Sequence, residues 1–199
     1  EKEGARMYKL LLGLASLVIR GLFGLQIHGR EHLPDGAAII ASTHTSFIDP
    51  LAVAGAMDRP LHYMAKKELF QYPVLRWVLP RLYAFPVQRG LADRSAIRRA
   101  QELLGEGHYL GIFPEGTRNK GDELLPLQGG AALLAIRQGV PVVPVVILGV
   151  KKLRFRRPIQ VIIGEVLHFG GPKRPSKQEI AVASQQIAEQ FRTLQRRNL

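Results

Sequence analysis

Ala37-Ala38-Ile39-Ile40-Ala41, running into Ser42-Thr43-His44-Thr45-Ser46-Phe47-Ile48-Asp49, decides the fold. Five apolar residues that give way to a polar run read as a central strand buried on both faces. The polar run then emerges from the strand's end, where open α/β sheets hold their ligands. Working outward, Leu61–Ala65, Ala84–Val87, Tyr109–Phe113, Val142–Leu148 and Ile159–Ile163 are short apolar runs of the same kind. Pro50–Met57, Ala92–Leu104 and Gly130–Gln138 carry helical spacing, the last stopping at Gly139 as a C′ glycine. Ser176 with Glu179 forms a capping box opening a final helix whose apolar stripe is Ile180, Ala183, Ile187, Phe191 and Leu194. Alternation of this kind predicts an α/β fold with a mostly parallel central sheet flanked by helices.

A chain of 199 residues, 46% hydrophobic, is long enough to bury a real core. It has no cysteine, which excludes disulfides, thiolate zinc sites and a cysteine nucleophile. The net charge of +12 calls for an anionic partner: nucleic acid, lipid headgroups or a phosphorylated substrate. The cations cluster at Arg94/Arg98/Arg99, Lys151/Lys152/Arg154/Arg156/Arg157 and Arg192/Arg196/Arg197, mixed with apolar side chains. Aromatics are only 7% and form no stacking array, and no nucleic-acid reading module is present, so nucleic acid is not expected as a partner. The six histidines show no metal-ligand spacing, so no metal is expected.

Tyr8 to Ile27 is the most apolar segment, punctuated by Lys9 and Arg20. Its uninterrupted run, Leu10 to Ile19, is about half of a membrane span. It reads as an amphipathic helix lying at a membrane interface, with a buried packing helix as the other reading. Leu69 to Leu82, with Trp77, is a second membrane-facing candidate. Met7 is a candidate start, so residues 1–6 stand outside the functional argument.

His44 and Asp49 lie five positions apart. On a regular helix five steps turn about 500°, leaving the two about 140° apart, so they cannot pair across one face. A loop that folds Asp49 back lets its carboxylate accept from the imidazole Nδ1–H and frees Nε2 as a base. Asp49-Pro50 equally suits a helix N-terminus with Pro at its first position, which needs no catalysis. Ser46 is better placed to bond loop backbone than to act as a nucleophile.

Roughly seventy residues on, Tyr109–Phe113 runs into Pro114-Glu115-Gly116-Thr117-Arg118. Gly116 permits a turn that exposes amide N–H groups, Thr117 adds a donor, and Arg118 offers a fork suited to phosphate. Glu115 reads as a clamp for Arg118 or an acceptor for a substrate hydroxyl. A plain surface turn with an exposed Glu–Arg pair is the other reading. Base, orienter and anion grip together suit acyl transfer to a hydroxyl beside a phosphate.

His44-x4-Asp49, Lys66-Lys67-Glu68-Leu69, Phe85-Pro-Val-Gln-Arg89, Phe113-Pro-Glu-Gly-Thr-Arg118 and Val140-Pro-Val-Val-Pro144 occur in the order found in glycerolipid acyltransferases. From about Ile27 to Gly164 the chain resembles the lysophosphatidic acid acyltransferase family. The resemblance implies transfer of a fatty acyl group from acyl-CoA or acyl-carrier protein, as co-substrate without a cofactor, to the 2-hydroxyl of lysophosphatidate, giving phosphatidic acid. It implies His44 as general base and Asp49 as its orienter. Lys66, Arg89, Glu115, Gly116, Thr117 and Arg118 fall on the acceptor side, and Pro144 on the acyl-donor side. It further implies an interface helix over residues 1–28, a catalytic α/β domain over 29–199, and membrane lipids as partners. The expected location is peripheral or monotopic on the cytoplasmic face of a membrane, the bacterial inner membrane. Thr43 stands where Asn is common, Gln88 where an acid is common, and Leu127-Gln128 where Phe-Lys is frequent. These departures bear on the acceptor, so another lysolipid is the alternative substrate. A non-catalytic protein binding anionic membranes is the alternative function.

Overall fold

The structure, a computed structural model, describes residues 2–88, 93–121, 123–151, 157–171 and 174–198. Its centre is one sheet built from β1 (Leu25–His28), β2 (Ala38–Ser42), β3 (Leu61–Lys66), β4 (Ala84–Val87), β5 (Tyr109–Ile112), β6 (Val142–Leu148) and β7 (Ile159–Ile163), in the order β1-β7-β6-β2-β5-β3-β4. Every pairing is parallel except β6 with β7. Residues 149–158 are too few for the crossover of a dozen or more residues that a parallel neighbour needs, so the chain turns back antiparallel.

The helices are α1 (Lys2–Leu22), α2 (Asp49–Ala56), α3 (Pro73–Arg81), α4 (Arg94–Gly105), α5 (Gly130–Gln138) and α6 (Lys177–Asn198). They cover both faces of the sheet. Period-two alternation in β2 shows how: Ala38 and Ile40 join a core with Ile19 of α1, Ala52 and Val53 of α2 and Leu79 of α3. Ile39 and Ala41 join the opposite core with Ala100 and Leu103 of α4, Leu134 of α5 and Ile187 and Phe191 of α6. All five β2 residues are buried, as a central strand requires. The strand and helix expectations hold to within one or two residues, although Ala92, the expected start of α4, lies outside the described residues. So do Lys152, Arg154 and Arg156 of the second basic cluster.

The N-terminal segment differs from its expectation at one end. The helix stops at Leu22, Gly24 turns with φ 85°, and Leu25–His28 becomes the edge strand β1, pairing in parallel with β7. Residues 25–28 therefore belong with the sheet and not with the helix. α1 has two unlike faces. Tyr8 and Ile19 are buried, and the Tyr8 hydroxyl accepts the Leu61 N–H of β3 (3.3 Å). Leu10, Leu14, Leu17, Val18 and Leu22 form an exposed stripe on the other side. Tyr72, Val74 and Trp77, at and within the start of α3, are also exposed, and α3 touches α1. No helix among the described residues is long and apolar enough to cross a membrane.

Opposite the strand ends that lead into the polar motifs, His62 is buried near the start of β3, its ring 4.8 Å from that of Tyr83 and 4.9 Å from that of His108. Burial, with the His108 and Arg99 charges adding to it, lowers its pKa from 6.5 to about 4. The unfolded chain thus takes up a proton near pH 6.5 and the folded chain only near pH 4, so protonation favours unfolding between the two. The melting temperature is expected to fall as pH drops from about 6.5 to about 4, and His62→Gln to flatten that part of the slope. Calorimetry of both proteins across this range checks it.

Candidate active site

β2 and β5 are parallel neighbours, paired from Ala38↔Tyr109 to Ala41↔Ile112, so the loops that follow them leave the same edge of the sheet side by side. This is what brings together motifs far apart in sequence. Two hydrogen bonds fasten the loops: the His44 N–H donates to Glu115 Oε1 (2.9 Å), and the Asn119 N–H donates to the His44 carbonyl (2.7 Å).

Within the first loop everything converges on Asp49. Its side chain is fully buried at the first residue of α2, and Oδ2 accepts from His44 Nδ1–H (3.0 Å), the Thr45 N–H (2.5 Å) and the Ser46 N–H (2.7 Å). A carboxylate only accepts, so Nδ1 must carry the proton and Nε2 presents its lone pair. Nothing among the described residues bonds Nε2. The imidazole stacks on Phe113, ring centroids 4.1 Å apart, and Phe113 in turn stacks on Tyr63 at 5.8 Å. The ring is thus held by a hydrogen bond along one edge and by an aromatic face. Thr45 Oγ1 and Asp49 Oδ1, both in this loop, are buried and unpartnered.

In the second loop the structure revises two sequence expectations. Glu115 is buried and does not clamp Arg118. Oε1 accepts the His44 N–H and Oε2 the Leu125 N–H (3.3 Å), so the carboxylate ties three backbone segments together. Nor is the Gly116 N–H left exposed, since it donates to the Phe113 carbonyl (3.0 Å). With the N–H groups of His44, Thr45 and Ser46 also engaged, these four are not open donors for an oxyanion. Glycine is needed at 116 for other reasons: φ is 69°, and a Cβ there would run into the Gln128 side-chain amide. Thr117 and Arg118 are exposed beside this turn. The Arg118 guanidinium lies 3.5 Å over the ring of Phe47, and no carboxylate among the described residues pairs with it.

The structure therefore gathers His44, Asp49, Glu115, Gly116, Thr117 and Arg118 into the two loops. Lys66 ends β3 at the same sheet edge and contacts Glu68 (3.3 Å), not the His44 loop. Pro144 is buried inside β6, level with Ala41 and against Gly164. Arg89 lies outside the described residues. Sequence reasoning missed Phe113, Tyr63, Asn119 and Phe47. Aromatic residues and an asparagine beside a motif carry no pattern that separates a stacking or tying role from ordinary packing.

A cavity of about 230 Å³ opens next to the Gly116 turn, walled by Met64, Ile97, Ile112, Phe113, Leu133 and Leu134, with Gln88 and Gln128 as its polar members.

The sequence of residues 24–148 matches the family model described as Acyltransferase. The chain belongs to the acyltransferase family. Among its relatives, a 1-acyl-sn-glycerol-3-phosphate acyltransferase of Bacillus subtilis is 34% identical over 95% of this chain and 97% of its own length. A chloroplastic 1-acyl-sn-glycerol-3-phosphate acyltransferase of Brassica napus is 33% identical over 70% of this chain, which spans only 41% of that longer protein. The crystal structure of the 1-acyl-sn-glycerophosphate (LPA) acyltransferase PlsC of Thermotoga maritima superposes with a TM-score of 0.75 at 25% identity, covering 98% of this chain and 83% of that one. That fold likeness extends over α1 and α6 as well as the region of the family match.

The geometry of this acyltransferase makes Glu115 a structural tie. Glu115→Ala, which leaves the His44 and Leu125 N–H groups without acceptors, is expected to lower unfolding free energy by about 2–4 kcal/mol. Glu115→Gln, which keeps an acceptor oxygen, is expected to cost less. Denaturant midpoints of the three proteins measure the ordering, and equal loss in both variants would count against the tie.

Proposed function

We propose that the enzyme transfers a fatty acyl group from a thioester donor, acyl-CoA or acyl-carrier protein, to the 2-hydroxyl of 1-acyl-glycerol-3-phosphate, yielding phosphatidic acid and the free thiol. The observation that carries this reading is a single edge of the sheet that holds an Asp49-oriented imidazole beside a guanidinium, the Nε2 of the one without a partner and the other without a neutralising carboxylate among the described residues. The names of the relatives support the acceptor. The family assignment and the intact His44–Asp49 pair outweigh a purely membrane-binding role.

In the proposed mechanism Nε2 of His44 takes the proton of the acceptor hydroxyl as its oxygen attacks the thioester carbonyl. Asp49 stabilises the imidazolium that results, its charge already fixed 3.0 Å from Nδ1. When the tetrahedral intermediate collapses, the C–S bond breaks and the imidazolium proton goes to the departing sulfur. The scheme balances without an acyl-enzyme, a metal or a further cofactor, and holding two substrates in register supplies much of the rate. Arg118 grips the acceptor phosphate, with Thr117, Lys66 and Arg89 as further groups on that side. The cavity behind Phe113 takes an acyl chain. Gln128, whose amide lies against Gly116 where a lysine is frequent in the resembling family, favours a second reading in which another lysolipid is accepted.

The exposed stripe of α1, joined by Val74 and Trp77 of α3, is proposed as the surface that rests on a membrane, making the protein peripheral or monotopic. Five large aliphatic side chains on one helical face are costly to leave in water.

Product formation from lysophosphatidate and acyl-CoA in mixed micelles, followed by mass spectrometry, tests the chemistry. His44→Ala is expected to lose about 10²–10⁴-fold in turnover. Near-normal turnover in that variant would remove His44 from the mechanism. Leu14→Glu/Leu17→Glu is expected to weaken sedimentation with anionic vesicles while leaving the melting temperature nearly unchanged. Unaltered sedimentation would place the membrane contact elsewhere.

A further inference from the structure

Phe47 is a large apolar residue standing 73% exposed in the middle of the base-bearing loop. Nothing in the orientation of His44 requires it: the imidazole is fixed by Asp49 and Phe113. Its one described ring contact is with Arg118, the guanidinium carbon 3.5 Å from the ring centroid. The contact is not a chance meeting of two free side chains. The bonds from the His44 N–H to Glu115 and from the Asn119 N–H to the His44 carbonyl fix the two loops in register on either side of it. Phe47 is also one residue from the Ile48 N-cap of α2, and the preceding Ser46 N–H is bonded to Asp49. The ring therefore projects from backbone that is already determined.

A guanidinium on a flexible stem loses rotamer freedom when it binds a phosphate, and that loss weakens binding. Stacking removes the freedom beforehand and leaves the N–H groups along the guanidinium edge available, because an aromatic face engages the cation through its plane. A carboxylate partner would order Arg118 equally well but would compete with the phosphate for the same N–H groups. Here the nearby carboxylate, Glu115, is turned inward to backbone donors instead.

We infer that Phe47 is a positioning residue for the acceptor: its ring pre-orders the Arg118 guanidinium toward the phosphate while leaving the hydrogen-bonding edge open. The inference rests on the proposed phosphate-binding role of Arg118. It also explains why an aromatic side chain is kept exposed three residues from the base, where an apolar residue serving only membrane contact would need no ring.

The experiment compares Phe47→Leu, Phe47→Trp and the wild type in micellar assays with lysophosphatidate and with a phosphate-free monoacylglycerol acceptor, each also in an Arg118→Ala background. Phe47→Leu keeps apolarity and bulk but has no π face. It is expected to raise the lysophosphatidate KM about 2- to 5-fold, the range an exposed stacking interaction converts to, with kcat nearly unchanged. Phe47→Trp is expected to restore the wild-type KM. The phosphate-free acceptor should not distinguish Phe47→Leu from wild type, and in the Arg118→Ala background the Phe47→Leu effect should vanish. A KM rise of equal size for both acceptors, or one that persists without Arg118, would overturn the inference and leave Phe47 as a membrane contact. An unchanged KM in Phe47→Leu would overturn it as well. If Arg118→Ala itself leaves the preference for the phosphate-bearing acceptor intact, the reading of Arg118 falls first and the inference with it.

Discussion

A buried carboxylate, Asp49, sets the terms for the rest of the site. A fully desolvated charge is tolerated only where donors replace the water it has lost. Oδ2 obtains three, two from consecutive backbone N–H groups and one from the imidazole. Those three bonds dictate the loop between β2 and α2: Thr45 and Ser46 must turn their amides inward, and His44 must present Nδ1. The tautomer, the ring orientation and the unprotonated Nε2 all follow from meeting the needs of one anion. Asp49 also lies in the first turn of α2, where the helix dipole favours negative charge.

This loop would still lack a substrate grip without the sheet topology. Because β5 is the parallel neighbour of β2, its following loop arrives at the same edge, and Glu115 converts proximity into fixed geometry by accepting from the His44 N–H. The polar groups near the base divide into two kinds. Asp49, Glu115 and Asn119 are buried and bonded to backbone, which makes them parts of the frame. Thr117 and Arg118 are exposed and the His44 Nε2 has no partner among the described residues, and the proposed chemistry falls to these.

Much of the fold was legible because its strands are buried on both faces. Val142–Leu148 and Ile159–Ile163 are unbroken apolar runs bounded by turn residues, and the structure places both strands at those limits. β1 was missed for the converse reason. It is an edge strand of four residues that alternates half-buried and exposed, and it follows an equally apolar helix with only Gly24 to mark the change. At the site, the pairing of His44 with Asp49 was legible because their spacing forbids a regular helical arrangement and so demands a folded loop. The role of Glu115 was not. An acidic and a basic residue three positions apart in sequence suggest an ion pair, whereas buried backbone donors across the loop made a stronger claim on the carboxylate. Thr43 shows the same limit. Its hydroxyl accepts from the Ile147 N–H (3.3 Å) in the neighbouring strand, a tie that no pattern along the chain encodes.

The packing of α1 connects the proposed membrane surface to the chemistry. α1 lies directly on α2, so closely that a Cβ at Gly55 would come within 2.8 Å of Ser16 Oγ. α2 in turn begins at Asp49. The helix that carries the exposed leucine stripe therefore packs on the helix that carries Asp49. Both substrates carry hydrocarbon chains that water excludes, and a base buried deep in a soluble protein would require each to leave the lipid phase entirely. In the proposed arrangement the packed pair of α1 and α2 removes that requirement, since it holds the base at a fixed distance from the surface on which the substrates reside. Glycine at 55 belongs to that contact, since a Cβ there would oblige the Ser16 hydroxyl to turn away from α2.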